Sequence, residues 1–363
     1  MIPVIVIPAS NEAERLPACL SALARQRDAP PLHVVVLLNN CSDVSEAVVR
    51  RLEARAPMQV HPIVRKLPSH RAFAGTARRL AMLHAARIAG PDGVLLTTDA
   101  DAVAPPDWLA ANLRALAAGA DAVVGRAVID PVEARLVPQA LHDADARECE
   151  YAALLDEITA RLDPDPGDPW PRHDEHNGAS IAVRVASWRR AGGVPAVPLG
   201  EDRAFIAALK RIDARIRHAP EVWVTVSGRI EGRAKGGMAD TMRRRMVAPD
   251  LMLDDRLEGA REAVRRAILR RHAREVHAGG GEPALLAAAL RLPLSAIMPL
   301  RWGGFGAAWE AIEASSAVLR RRRLPVNELA AQTRAARAYR DRLVARLNIG
   351  PAGQADTPLA APA

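Results

Sequence analysis

Two aspartates one residue apart, Asp99 and Asp101, directly follow the apolar run Val94–Thr98. In extended chain, side chains at i and i+2 point the same way, so both carboxylates can face one hard cation. Mg2+ and Mn2+ prefer oxygen ligands, and such a cation also takes phosphate oxygens and eases the departure of a diphosphate. The plainer reading of Asp99-Ala100-Asp101 is a solvated acidic turn. Glu201 and Asp202 pose a similar choice. Asp202 can accept a proton as a general base, or the pair can simply favour the first turn of a helix through its dipole. Arg229, Arg233 and Lys235 lie among glycines after the run Val222–Val226. Glycine lets backbone approach a ligand, and guanidinium forks match phosphate oxygens. The segment is therefore either a loop that closes over a diphosphate or a solvated basic loop. Arg78 is a further candidate for diphosphate contact, whereas His70 and Arg71 read as solvated. His176, before Asn177-Gly178, reads as a hydrogen-bonded loop histidine. His218 is poorly placed for a metal, because it leads into a strand rather than leaving one.

The elements that must position these residues follow from hydrophobic periodicity. Ile2–Ile7, His33–Leu38, Val60–Val64, Val94–Thr98 and Ala122–Val124 are short apolar, β-branched runs, the mark of strands buried on both faces. Between them, helices are expected from about Glu12 to Gln26 with Ser10 or Asn11 as cap, from Val44 to Ala56, from Thr76 to Ala89 and from Asp107 to Ala118. A helix then a Pro/Asp/Gly loop are expected across Pro131–Pro171, then a strand at Ser180–Val183, helices at Val185–Arg190 and from Glu201, and a strand at Val222–Val226. This alternation predicts a mostly parallel sheet flanked by helices. Ligands of such sheets bind beyond the carboxyl ends of the strands, where Ser10-Asn11-Glu12, Asn39–Asp43 and Asp99–Asp101 all fall. After about Pro249 the chain turns to Ala/Arg/Leu helices. The expected organisation is a catalytic domain over 1–248, a helical extension over 249–349 and a disordered tail over 350–363.

The 363 residues are 49% hydrophobic and 25% charged, which excludes disorder as the general state. The net charge is +8, but only three of the 50 basic residues are lysines, so the excess follows an arginine-rich composition and no nucleic-acid partner is expected. The basic run Arg320–Arg323 can meet anionic lipid or another subunit, with a solvated helix end as the plain alternative. Trp302, Phe305 and Trp309 are expected to pack the helices. Cys19, Cys41 and Cys149 have neither zinc-site nor disulfide spacing, which suits a reducing cytosol. The expectation is a cytoplasmic protein with peripheral contact at the inner face of a membrane.

Taken together, these motifs resemble family 2 glycosyltransferases. Val4-Ile5-Val6-Ile7-Pro8-Ala9-Ser10-Asn11-Glu12 is similar to that family's opening strand and turn. Asn39-Asn40-Cys41-Ser42-Asp43 stands where its second motif lies, and Asp99-Ala100-Asp101 matches its DxD motif. Asn177-Gly178-Ala179-Ser180, Gly192-Gly193-Val194-Pro195 and Gly200-Glu201-Asp202 resemble its acceptor-side segments. The resemblance spans roughly residues 2–240 and implies a GT-A fold, a nucleotide-sugar donor, Mg2+ or Mn2+, and inversion at the anomeric carbon. It implies donor contacts at Pro8, Asn11, Glu12, Asn39, Asn40, Asp43 and Asp99, beside Arg78, Arg229 and Arg233. The metal would lie on Asp99 and Asp101, the acceptor on Asn177, Gly178 and Glu201, and the base would be Asp202. Two departures narrow this. Asn39-Asn40 replaces the usual acids, which leaves the nucleotide's base open. No QxxRW motif occurs where Arg229–Gly237 stands, which favours transfer of one sugar over processive synthesis. The acceptor can be a small molecule, a lipid or a glycan. A nucleotidyltransferase would carry a Gly-rich basic loop in place of Pro8–Glu12, and a catalytically inactive binding module would not need Asp99, Asp101 and Asp202 together.

Overall fold

The computed structural model describes residues 1–232 and 236–348. Arg233, Lys235 and the tail expected over 350–363 lie outside the described residues. The strands are β1 (Pro3–Ala9), β2 (His33–Asn39), β3 (Gln59–Arg65), β4 (Val94–Thr97), β5 (Ala122–Ile129), β6 (Ile181–Arg184) and β7 (Ile216–Val226). The helices associated with them are α1 (Leu16–Ala24), α2 (Ser45–Glu53), α3 (Ala74–Ala89), α4 (Trp108–Ala117), α5 (Pro131–Ala134), α6 (Gln139–Leu162), α7 (Val185–Arg190), α8 (Glu201–Arg211) and α9 (Met238–Val247). After them come α10 (Ala260–His277), α11 (Pro283–Leu290), α12 (Leu294–Ile297), α13 (Pro299–Trp302), α14 (Phe305–Ser315) and α15 (Leu329–Asn348).

The strands form one sheet in the order β3-β2-β1-β4-β6-β5-β7. β1 runs parallel to β2 and β4, β2 to β3 and β5 to β7, while β6 is antiparallel to both of its neighbours. The continuous apolar runs are explained by the two layers they serve. Ile5 and Ile7 pack with Leu16, Leu20 and Leu109 on one face, and Val4 and Val6 pack with Ala81, Met82 and Phe205 on the other. Connections leaving β1 and β4 diverge, so the crevice at their carboxyl ends is the switch point where ligands of such sheets bind.

Three expectations change in detail. The helix after β1 starts at Leu16, not Glu12, because Pro17 lacks an N–H and fits only the first turn; Asn11 takes a left-handed φ of 55° instead of capping. The helix expected from Pro131 is two, separated before Pro138, which disfavours helical backbone at the residue preceding it. β7 begins at Ile216, ahead of the expected Val222, despite Pro220. A register shift between Val124 and Arg126 of β5 forms a bulge that accommodates the proline.

The chain divides into two compact units, 1–138 with 175–247, and 139–174 with residues 248 onward. The helical unit thus includes α6, which the sequence reading placed in the first domain. Its Tyr151, Leu154, Leu155 and Ile158 pack with Leu257, Val264 and Ala336, and Tyr151 Oη donates to the Glu258 carbonyl at 2.7 Å.

Candidate active site

The loop after β1 is tied to the loop after β2. Asn11 Oδ1 accepts from the N–H groups of Ser42 (2.7 Å) and Asp43 (3.2 Å). Glu12 N–H donates to Ser45 Oγ at 2.9 Å, and Ala13 N–H to Asp43 Oδ2 at 3.1 Å. Burial alone would raise the Asp43 carboxyl, but hydrogen bonds from Ser45 and Ala13 hold it below its ordinary value. Asn40 pairs its side chain with the backbone of Leu67, donating to the carbonyl at 2.8 Å and accepting from the N–H at 2.7 Å. These residues, expected on the donor, build the wall of the crevice. Asn39 is buried at the end of β2, and its Oδ1 has no hydrogen-bond partner among the described residues. Pro8 lies inside β1, paired with Leu37.

The tie between the loops aims the Glu12 carboxylate at Arg229, whose guanidinium donates to both oxygens at 2.7 and 2.5 Å. The same guanidinium lies 3.2 Å from Asp101 Oδ2. Burial raises the Asp101 carboxyl to about 6, and the charges of Asp99 and Glu12 add to the effect while Arg229 opposes it. The loop bearing Arg229 is anchored by Glu133, which accepts from Ser227 Oγ and Gly228 N–H at 2.7 Å each and pairs with Arg15. Sequence reasoning missed Glu133 and Arg15. The available signal was Asp130-Pro131, a cap followed by proline at the first helical position, which marks a short helix with an acid in its first turn.

A second group joins the first through Asp99. Arg78 is buried in α3 and donates to Asp99 Oδ1 at 2.8 Å, Glu201 Oε1 at 3.2 Å, the Gly178 carbonyl at 2.9 Å and the Thr97 hydroxyl. Expected on the diphosphate, Arg78 instead ties the end of β4 to the start of α8. Glu201, expected on the acceptor, is its buried ion-pair partner. Asp202 accepts from Gly178 N–H at 3.1 Å and from Arg203 N–H at 2.7 Å. Burial raises its carboxyl above the ordinary value, with the Glu201 and Asp99 charges acting in the same direction. Gly178 is the hinge of this group, since a Cβ there would stand 2.5 Å from Arg78 Nη2. Asn177 donates to the Gly125 carbonyl at 2.9 Å, and its Oδ1 is buried without a hydrogen-bond partner among the described residues. His176 and His218 face each other, with ring centroids 5.4 Å apart.

The donor set suits a hard divalent cation: Asp99 and Asp101 offer carboxylate oxygens where negative charge accumulates. Among the described residues no three His, Cys, Asp or Glu side chains converge on one point.

Residues 4–176 match the family model described as Glycosyl transferase family 2. No curated protein matches the chain. Among solved structures, it is similar to the mannosyltransferase PcManGT from Pyrobaculum calidifontis in complex with GDP-Man and Mn2+, at 20% identity and a TM-score of 0.45, covering 95% of this chain and 86% of that one. S. aureus TarS 1-349 in complex with UDP-GlcNAc gives 17% identity and a TM-score of 0.47, covering 98% and 94%. Glucosyl-3-phosphoglycerate synthase from Mycobacterium tuberculosis, in complex with Mn2+, UDP and phosphoglyceric acid, gives 16% and 0.39, covering 68% and 78%. Residues 4–176 thus carry the match to glycosyl transferase family 2, and the sheet is mostly parallel and helix-flanked, as the GT-A expectation has it.

Proposed function

We propose that this glycosyl transferase moves one sugar from a nucleotide-diphosphate donor to an acceptor hydroxyl, with inversion at the anomeric carbon and with help from Mg2+ or Mn2+. The observation that carries the reading is the buried Arg78, which holds Asp99 and Glu201 in one frame and so fixes the acidic pair relative to Asp202. When bound on Asp99 and Asp101, the cation would offset the charge of the diphosphate and ease its departure. Arg229 is a built-in counter-ion for Glu12 and Asp101. A cation held on Asp101 would compete with that contact, and Arg229 would then offer phosphate oxygens a planar guanidinium fork.

Asp202 is the base of this reading. Its two backbone hydrogen bonds fix the carboxylate, and its raised pKa makes it a stronger proton acceptor than a solvated aspartate. Asn177 precedes Gly178, whose N–H bonds Asp202, and on this reading its buried amide oxygen is available to an acceptor hydroxyl. The acceptor is a small molecule, a lipid or a glycan.

The reading is tested by incubating the protein with a panel of nucleotide-sugars and Mn2+, and measuring released nucleoside diphosphate. Asp202→Asn should bind donor as the wild type does and turn over slower by about 100-fold or more, the usual worth of general-base catalysis. The anomeric configuration of the product, read by NMR, should be opposite to that of the donor. Release of pyrophosphate, or a loss in Asp202→Asn confined to donor affinity, contradicts the assignment.

A further inference from the structure

The stretch from α11 to α13 exposes mainly apolar side chains, with Arg291 and Ser295 among them. α11 reads Pro-Ala-Leu-Leu-Ala-Ala-Ala-Leu, apolar on every side. A helix that is apolar all round is normally buried in protein or in lipid, yet only one side of α11 is covered. Leu286 and Leu290, with Ile297 and Leu300 beyond them, pack into the core built by α10 and α14. On the other side Leu285 is 65% exposed, Leu294 47% and Trp302 82%. The exposure of Trp302 runs against the sequence expectation, which had it packing with Phe305 and Trp309; those two are buried.

Within the stretch itself the charge has one sign, with Glu282 standing at its start. No acidic residue occurs between Glu282 and Glu310, while Arg291 and Arg301 lie within that interval. The turn Ala317–Leu319 packs on α11, and the basic run Arg320–Arg323 leaves from it. We propose that this face seats the helical unit on the surface of an anionic lipid bilayer, with Leu285, Leu294 and Trp302 at the acyl–headgroup boundary and the arginines among the lipid phosphates. Apolar side chains including Trp, rimmed by arginine, are the composition of interfacial segments, whose binding combines buried apolar area with attraction to anionic lipid. The segment lies on the bilayer and does not cross it. Among the described residues no single helix is long and apolar enough to span, the two arms α11 and 294–302 meet at 108°, and each buries one side in the unit's own core.

Vesicle flotation of the full chain is the test. Vesicles of phosphatidylcholine with phosphatidylglycerol should carry the wild type, more weakly as salt rises, and vesicles of phosphatidylcholine alone should carry much less. Combined Leu285→Ser, Leu294→Ser and Trp302→Ser should lower partitioning on the order of ten-fold or more with an unchanged unfolding midpoint. Arg291→Glu with Arg320→Glu should lower it too. Should the triple variant not fold, acyl-brominated lipid still reports on Trp302 through quenching present in the wild type and reduced in Trp302→Phe. Wild type that stays off anionic vesicles, a folded triple variant that floats equally well, or absence of that quenching overturns the proposal. So does sedimentation showing a wild-type dimer that the triple variant makes monomeric.

Discussion

Asp101 is held in a position that costs stability. With Asp99 and Glu12 close by, burial lifts its carboxyl from 3.8 to about 6. Between about pH 4 and 6 the folded chain therefore holds the proton more tightly than the unfolded chain. Linkage then makes stability fall as pH rises through that window, with the full penalty present above it. Asp101→Asn removes the penalty. In EDTA, calorimetry should find the variant more stable than wild type near neutral pH, on the order of 1–3 kcal/mol, and its stability flatter between about pH 4 and 6. An equal or lower stability of Asp101→Asn would show that Arg229 fully compensates the buried charge. The candidate carboxylates Asp99, Asp101 and Asp202 were legible in the sequence because strand-end acids stand out against apolar runs. Arg78 was legible only as a cation. Its partners Glu201 and Gly178 lie 123 and 100 residues away, and only the folded sheet shows that the guanidinium is occupied by protein.

At the level of elements, the site depends on close approach between segments. The stretch 177–180 leading into β6 meets α3 through Arg78 and α8 through Asp202, both at Gly178. Gly178→Ala would push a methyl group against the Arg78 guanidinium, which is tethered at four points. The expected cost is roughly 1–3 kcal/mol, the usual range for overpacking, read as a lower urea midpoint, together with weaker turnover because Asp99 and Asp202 lose their common frame. Wild-type midpoint and turnover would mean that Arg78 can shift without consequence. The strands were readable from periodicity alone, since both faces of β1, β2 and β4 are covered. The start of α1 and the full length of β7 were not, because Pro17 and the bulge opposite Pro220 override the hydrophobic pattern.

For the whole molecule, sequence composition changes near residue 249 and packing divides the chain beside that point, but it also assigns 139–174 to the second unit. α6 shares its core with α10 and α15, and this long-range pairing leaves no local sign in the sequence. A fragment ending at residue 248 should expose Tyr151, Leu154, Leu155 and Ile158. It should aggregate or show protease-sensitive α6 where the full chain does not, and a soluble, protease-resistant fragment would contradict that division. The candidate site residues, in contrast, all fall in the unit formed by 1–138 and 175–247. The central claim is that Asp99 and Asp101 receive a nucleotide-diphosphate donor together with a divalent cation. Isothermal titration of wild type and Asp101→Ala with nucleoside diphosphates, with and without Mn2+, tests it most directly. The account predicts that at least one nucleoside diphosphate binds the wild type tightly only with Mn2+, and that Asp101→Ala loses this Mn2+-dependent gain. No nucleoside diphosphate binding at all, or equal binding by Asp101→Ala, would contradict it.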